Sequence, residues 1–104
     1  MFIQSELNEY LIKKYLDIIV LRMLMIYPKH GYAILAEIHK NFGVLLSPGL
    51  LYPLLYEFEV KGWVETIVDN RKKVYRLTVK GVKKTEQLKS FYMKSFKQLT
   101  KFMG

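Results

Sequence analysis

Cysteine is absent from the 104 residues of this chain, and long hydrophobic runs are missing as well. Without cysteine there is no disulfide framework, thiolate nucleophile or zinc knuckle, which fits a reducing cytoplasm. The strongest apolar run, residues 18–27, is interrupted by Arg22 and falls far short of the roughly 20 residues that span a bilayer. Nothing resembles a signal peptide. We therefore expect a soluble, cytoplasmic protein with no membrane span.

The residue groups that mark catalysis are also missing. The sequence shows no activated nucleophile, no carboxylate pair and no glycine-rich phosphate loop, because its six glycines are scattered. His30 and His39 are its two histidines, and no acidic residue is well placed to complete a metal site with them. The sequence therefore predicts a protein that is not an enzyme and has no catalytic residue, metal or cofactor.

Acidic residues are scarce in the C-terminal part of the chain. Residues 1–62 contain six basic and six acidic residues, whereas residues 63–104 contain eleven basic and three acidic ones, which accounts for the whole net charge of +8. Segregated positive charge points to a polyanion, either nucleic acid or an anionic membrane surface. A lysine face that serves only solubility is the simpler alternative. The hydrophobic content of 51% favours an oligomer that buries apolar surface.

Hydrophobic spacing predicts three helices in the first part of the chain. The first runs from about residue 6 to 26 as one long helix, with Ser5 as its N-cap, and Pro28 follows its end. Its second half is apolar nearly all round and should therefore be the central buried helix. The second helix covers about residues 31–41, and the third covers residues 47–61.

A β-hairpin and a last helix follow. Two β-branched and aromatic stretches within residues 63–78 predict the hairpin, with Asp69 and Asn70 at its turn. Thr78 caps the last helix, which reaches about residue 102. The predicted fold class is mainly α with a small β-hairpin (α+β), in the order α-α-α-β-β-α, with short connections.

The third helix is the most informative segment. Ser47 is a plausible N-cap, and Pro48 follows at the first helical position, where its missing N–H costs nothing. Gly62 suits the left-handed residue that ends a helix. One side of the helix is apolar and faces a core, and another flank has two tyrosines; these sets are Leu51, Leu54, Leu55 and Phe58, and Tyr52 and Tyr56. The slim start, with hydroxyls and unpaired N–H groups, suits a groove lined by phosphates.

Two helices joined by a short turn and followed by a hairpin predict a winged helix-turn-helix. The helix of residues 47–61 would enter the major groove of double-stranded DNA, where side chains near its start reach base edges. Three basic residues lie near the hairpin tip: Arg71, Lys72 and Lys73. As part of a wing, they would contact the neighbouring DNA backbone. Phosphate contacts would supply affinity, and groove contacts would select among DNA sequences.

The chain also resembles the PadR-like winged-helix transcriptional regulators, from about residue 18 to residue 81. The matching blocks are His30-Gly31-Tyr32, Ser47-Pro48-Gly49, Leu51-Tyr52-Pro53, Gly62, Tyr75-Arg76-Leu77-Thr78 and Gly81. The resemblance implies a dimeric repressor that binds a palindromic operator. It also implies a small aromatic effector at the dimer interface, although no residue here identifies one.

The resemblance places the DNA-binding residues by position. They are Tyr32, Ser47, Gly49, Tyr52 and Pro53 on the helix-turn-helix, and Arg71, Lys72 and Lys73 on the wing. Pro48, at the start of the same helix, completes the predicted DNA-binding set. One departure concerns Leu50, since the family usually has threonine there. The base preference is therefore open.

The last helix separates an apolar stripe from a lysine-rich side. We expect the stripe to form the dimer interface with the first helix, so that residues 1–78 are the DNA-binding domain and residues 79–104 the dimerisation helix. The predicted interface residues are Leu7, Leu11, Leu88, Tyr92, Phe96, Leu99 and Met103. An alternative function is a basic amphipathic module, acting through residues 79–102, that binds a membrane surface or another protein. An adaptor that has lost DNA binding is a third.

Overall fold

The computed structural model describes residues 4–104, so the first three residues of the predicted domain 1–78 lie outside it. The predicted fold class is confirmed: the protein is mostly helical with a small antiparallel sheet. Within the described range, no helix combines the length and apolarity that a bilayer crossing requires. The elements are α1 (Gln4–Lys14), α2 (Leu16–Ile26), β1 (Lys29–His30), α3 (Gly31–Phe42), α4 (Pro48–Val60), β2 (Val64–Asp69), β3 (Lys72–Leu77) and α5 (Val79–Met103).

The prediction of one long first helix is wrong, because the helix breaks at Tyr15 into α1 and α2. Tyr15 departs from helical geometry, with φ −108° and ψ 24°. Nearby, the backbone N–H of Ile18 donates to the side chain of Asp17 at 2.7 Å. A side chain that takes part in the backbone hydrogen bonding of a helix is a known cause of such breaks. The Tyr15 ring, in turn, packs edge-on against α5.

The core surrounds α2, as the apolar second half of the predicted first helix indicates. Val20 and Leu21 of α2 are completely buried. Buried residues of α3 and α4 belong to the same hydrophobic cluster as this helix, together with Val64 of β2 and Tyr75 of β3. The predicted inner stripe of α4 is confirmed for three of its four residues, and Leu54 is partly buried. Other core residues are Ile34, Ile38, Leu51, Leu55 and Phe58.

The sheet has three strands in the order β1-β3-β2, one more than predicted. The two-residue β1 pairs Lys29 with Tyr75 and His30 with Val74, and such a short strand has no periodicity to detect. The hairpin register pairs Asp69 with the first residue of β3, so the turn residues are Asn70 and Arg71. Both have positive φ, 48° and 65°, as a two-residue type I′ turn requires. The predicted turn was therefore one residue too early.

The start of α5 is fixed tightly to the hairpin. Thr78 accepts a hydrogen bond from the N–H of Gly81 at 3.0 Å and donates its own to the carbonyl of Gly62 at 2.6 Å. A Cβ atom at Gly81 would collide with the carbonyl oxygen of Trp63. The other end of α5 is different, since every side chain from residue 96 onward is exposed. The helix is therefore anchored at its first turns and open at its last.

Candidate nucleic-acid interface

The first turn of α4 is capped, slim and exposed. Ser47 accepts the N–H of Gly49 on its side chain at 3.1 Å, and its carbonyl accepts the N–H groups of Leu50 at 3.0 Å and Leu51 at 3.3 Å. Pro48 has no N–H to offer. The expectation of unpaired N–H groups at this end is therefore wrong, because each of these donors has a partner inside the turn. The feature of this turn that suits entry into a groove is its small size.

The outer face of α4 has two tyrosines with uncommitted hydroxyls. Tyr52 and Tyr56 are exposed, and within residues 4–104 neither hydroxyl has a hydrogen-bond partner. Tyr52 lies against the start of α3, where a Cβ atom at Gly31 would collide with its ring. Gly31 thus lets α3 and α4 approach closely, which explains physically why a glycine stands between His30 and Tyr32.

A cleft of about 510 Å³ joins the helix-turn-helix to the hairpin. We call it the tyrosine cleft. It brings together four of the predicted DNA-binding residues, from three separate stretches of sequence. Its lining comprises His30, Gly31, Tyr32, Tyr52, Tyr56, Glu59, Lys72, Lys73 and Tyr75.

Two groups inside the tyrosine cleft are buried and polar. The Nδ1 atom of His30 has no hydrogen-bond partner among the residues that the structure describes. Burial, and then the neighbouring Tyr52 and Glu59, raise the pKa of Tyr75 above its ordinary value of 10.0. The Tyr75 phenol therefore stays neutral at physiological pH. The sequence did not indicate that Tyr75 or Glu59 would lie in this site.

The cations of the wing differ in how far the protein neutralises them. The Nζ of Lys73 lies 4.0 Å from the carboxylate of Glu59, a weak contact across the cleft. Lys72 and Arg71 have no ion pair in the described part of the chain, and Arg71 stands at the centre of the turn. At the base of the hairpin, by contrast, Arg76 pairs with the opposite strand. Within the hairpin, unbalanced positive charge is therefore concentrated at the tip.

The remaining predicted DNA-binding residues are exposed on the same two helices. Tyr32 is 75% exposed at the second position of α3. Pro53 lies on the outer face of α4, one turn after Gly49, and is exposed. Slim or polar groups, together with cations, are thus exposed in four regions: the start of α4, its outer face, the tyrosine cleft and the hairpin tip.

The predicted dimer residues divide into two groups. Leu88 and Tyr92 are partly buried within the protomer, and the Tyr92 hydroxyl donates to the carboxylate of Asp17, with its two oxygens 3.0 and 3.2 Å away. The other predicted residues are exposed, and Phe96 still touches the body of the protomer, with its ring centroid 5.3 Å from that of Tyr15. The exposed group comprises Leu7, Leu11, Phe96, Leu99 and Met103.

An apolar groove of about 510 Å³ includes two members of this second group, Leu11 and Phe96. We call it the α1–α5 groove. Its walls come from α1, the break before α2, one residue of α2, the end of α3 and one ring of α5. The lining residues are Asn8, Leu11, Ile12, Tyr15, Ile19, Asn41, Phe42 and Phe96.

The family model described as "Transcriptional regulator PadR-like family" matches residues 20–87, from α2 into α5. A PadR family transcription regulator from Clostridium difficile R20291 has 25% identity and a TM-score of 0.78, over 86% of this chain and 99% of that chain. Two regulators at 24% identity share the fold. One, from Clostridium thermocellum, has a TM-score of 0.80 over 90% and 98% of the two chains. The other, from Eggerthella lenta DSM 2243, has 0.81 over 95% and 87%. No curated protein matches the sequence significantly.

Proposed function

The chain belongs to the PadR-like family of transcriptional regulators, which are DNA-binding proteins and not enzymes, and we propose that it binds operator DNA as a homodimer. A homodimer binds a palindromic operator, with α4 of each copy in the major groove and the hairpin as a wing on the adjacent backbone. Bound at a promoter in the cytoplasm, the dimer excludes the transcription machinery and so represses transcription.

The observation that carries this proposal is that the tyrosine cleft brings Tyr52 of α4 together with Lys72 and Lys73 of the hairpin, while the start of the same helix is exposed. An α-helix with its side chains is about 10–12 Å wide and the major groove about 12 Å, so close entry favours small groups at the leading end. Ser47, Pro48 and Gly49 supply them. Arg71 and Lys72, which no carboxylate neutralises in residues 4–104, can then meet phosphates beside the groove.

The apolar surface of α1 and α5 supports the dimer. Leu99 and Met103 are more than half exposed, and the α1–α5 groove, to which Phe96 of the same helix contributes, is lined largely by apolar side chains. Exposed apolar surface of this kind marks an interface, and a two-fold axis would use the same patch twice. A small aromatic effector would fit between the two copies in this groove.

The first test is to select bound duplexes from a random pool and to footprint the enriched sequence. We expect a palindrome whose half-sites lie about one helical turn, or a multiple of it, apart. Enrichment of no sequence, or of a site without symmetry, would contradict the groove-reading dimer.

The wing is tested by Arg71→Ala/Lys72→Ala/Lys73→Ala. Operator affinity should fall, non-specific affinity should fall alike, and the log–log salt slope should flatten by about one unit for each phosphate that is no longer engaged. Mobility shifts at several salt concentrations measure this. Replacing Lys89, Lys94 and Lys97 of α5 by alanine removes the same charge elsewhere and should change the slope much less. Equal effects of the two triple variants would show that the hairpin is not a wing.

A further inference from the structure

The helix assigned to the major groove lacks the usual base-reading side chains. Residues 47–60 contain no arginine, lysine, asparagine, glutamine or histidine. Those residues make the bidentate hydrogen bonds that distinguish guanine and adenine. The hydrogen-bonding side chains that remain are Ser47, Tyr52, Tyr56, Glu57 and Glu59. None of them can donate two parallel hydrogen bonds to a purine, so α4 must select its site in another way.

Leu50 is the first side chain of α4 long enough to reach a groove floor. It is the third residue of the helix, after Pro48 and Gly49, and 44% of it is exposed. A methyl group added at Gly49 would lie 3.3 Å from the Ser47 hydroxyl, a tight contact, and within 4 Å of no other group outside its neighbours and the helix backbone. The neighbouring Leu51 is completely buried. Since consecutive helical residues are about 100° apart, Leu50 projects beside the core-facing stripe and not into it.

An exposed leucine at this place has one matching chemical group on DNA. The floor of the major groove presents hydrogen-bonding atoms at every base pair, and its apolar group is the C5-methyl of thymine. A leucine that covered other base edges would desolvate polar atoms without pairing them, which disfavours those sequences. Contact with a thymine methyl instead buries apolar surface on both sides.

We propose that Leu50 reads a thymine methyl group in each operator half-site. The inference rests on the proposed function and narrows it: the operators of this protein carry thymine at one fixed position per half-site. Because the contact is apolar, it contributes to selection while the wing contributes affinity that is independent of sequence.

The experiment replaces each thymine of the selected operator by uracil, which removes only the methyl group. At one position per half-site the wild-type protein should lose about fourfold in affinity, the value of burying one methyl-sized group. Both half-sites together should give about fifteenfold if the contributions add. Uracil at the other positions should have little effect.

Variants assign the effect to Leu50. Leu50→Ala should bind the thymine operator more weakly and should no longer distinguish uracil at that position. Leu50→Met keeps an apolar side chain of similar volume and should keep the discrimination. Val60→Ala is the matched control, because it shortens an exposed apolar residue of the same helix about 15 Å away. It should remain as sensitive to the methyl group as the wild type.

The possible outcomes distinguish failure of the Leu50 contact from failure of the proposed function. If an operator is enriched and protected but no uracil weakens binding, Leu50 does not read thymine, and the groove-reading dimer stands. The same conclusion follows if Leu50→Ala keeps the methyl discrimination. If no duplex is enriched, both fail together. Thermal unfolding of Leu50→Ala near the wild-type temperature, with unchanged affinity for an unrelated duplex, shows that the variant is folded and keeps its wing contacts.

Discussion

The two helices α4 and α5 have opposite charge patterns. The helix proposed to enter the DNA groove, α4, has no basic residue and two acidic ones, whereas α5, proposed to hold the dimer together, has seven lysines. Within residues 4–104, no carboxylate lies within 4 Å of those lysines. If α4 reads DNA as proposed, abundance of positive charge does not identify the element that does so. A helix without basic side chains can still lie close to bases when its leading end is slim, while positive charge on other elements attracts the duplex from a distance.

The two helices also begin differently, although each has a capping hydroxyl and a glycine in its first turn. Ser47 and Gly49 form an exposed turn with room around it, whereas Thr78 and Gly81 form a turn enclosed by the hairpin. A capping hydroxyl with a glycine in the first turn thus makes the exposed start of α4 slim, whereas in α5 it allows close packing against the hairpin. Substitution of the two glycines should give the largest difference between the helices.

Gly81→Ala should destabilise the fold by about 3 kcal/mol or more, because its methyl group would enter the space of the Trp63 carbonyl and the Leu77 side chain. Gly49→Ala should leave the free energy of unfolding within about 0.5 kcal/mol of the wild type and should instead weaken operator binding. Urea denaturation and mobility shifts measure the two effects. If Gly81→Ala folds normally, or if Gly49→Ala loses stability but no DNA affinity, the two turns do not differ as described.

The second prediction compares the two sides of α5. Phe96→Glu places a carboxylate at the rim of the α1–α5 groove, where a partner would bury it without a counter-charge. We expect the dimer dissociation constant to rise by at least about a hundredfold, corresponding to about 2.7 kcal/mol. Sedimentation velocity over a range of concentrations checks this. Gln98→Glu adds the same charge at an exposed position two residues later and should leave the dimer intact. Equal behaviour of the two variants would remove the apolar side of α5 from the interface.

The parts of the fold that depend on local chemistry could be predicted from the sequence. Ser47 and Thr78 are caps as expected, and Gly43 and Gly62 end helices with positive φ. Each of these depends on neighbours within a few residues. The inner stripe of α4 was also predictable, because burial follows the helical period.

The features that sequence reasoning missed depend on contacts between distant residues. The break at Tyr15 accompanies ring contacts with Tyr92 and Phe96, about eighty positions later in the chain. The turn position follows from the pairing register of the whole hairpin. Likewise, Glu59 joins the tyrosine cleft only because the hairpin folds back onto α4. Periodicity along one element contains none of this information.

The smallest predicted effect is a difference in stability between tyrosine variants of the two helices. On α5 the Tyr92 hydroxyl is committed to Asp17, whereas the Tyr56 hydroxyl on α4 has no partner in the described residues. Tyr92→Phe should therefore cost about 1 kcal/mol of stability at neutral pH, and Tyr56→Phe close to nothing. Urea denaturation of both variants measures this difference, and Tyr56→Phe is the matched control.

The pH dependence tests the same contrast. Burial, then the hydrogen bond and charge of Asp17, raise the pKa of Tyr92 above 10.0, so the folded protein holds this proton more tightly than the unfolded chain does. The contribution of Tyr92 to stability is therefore complete below about pH 10 and is lost as the pH rises through the raised pKa. The stability difference between wild type and Tyr92→Phe should shrink in that alkaline range, while Tyr75 affects both proteins alike. A difference that stays constant to high pH would mean that the Asp17 contact does not anchor α5, and the contrast with α4 would then rest on packing alone.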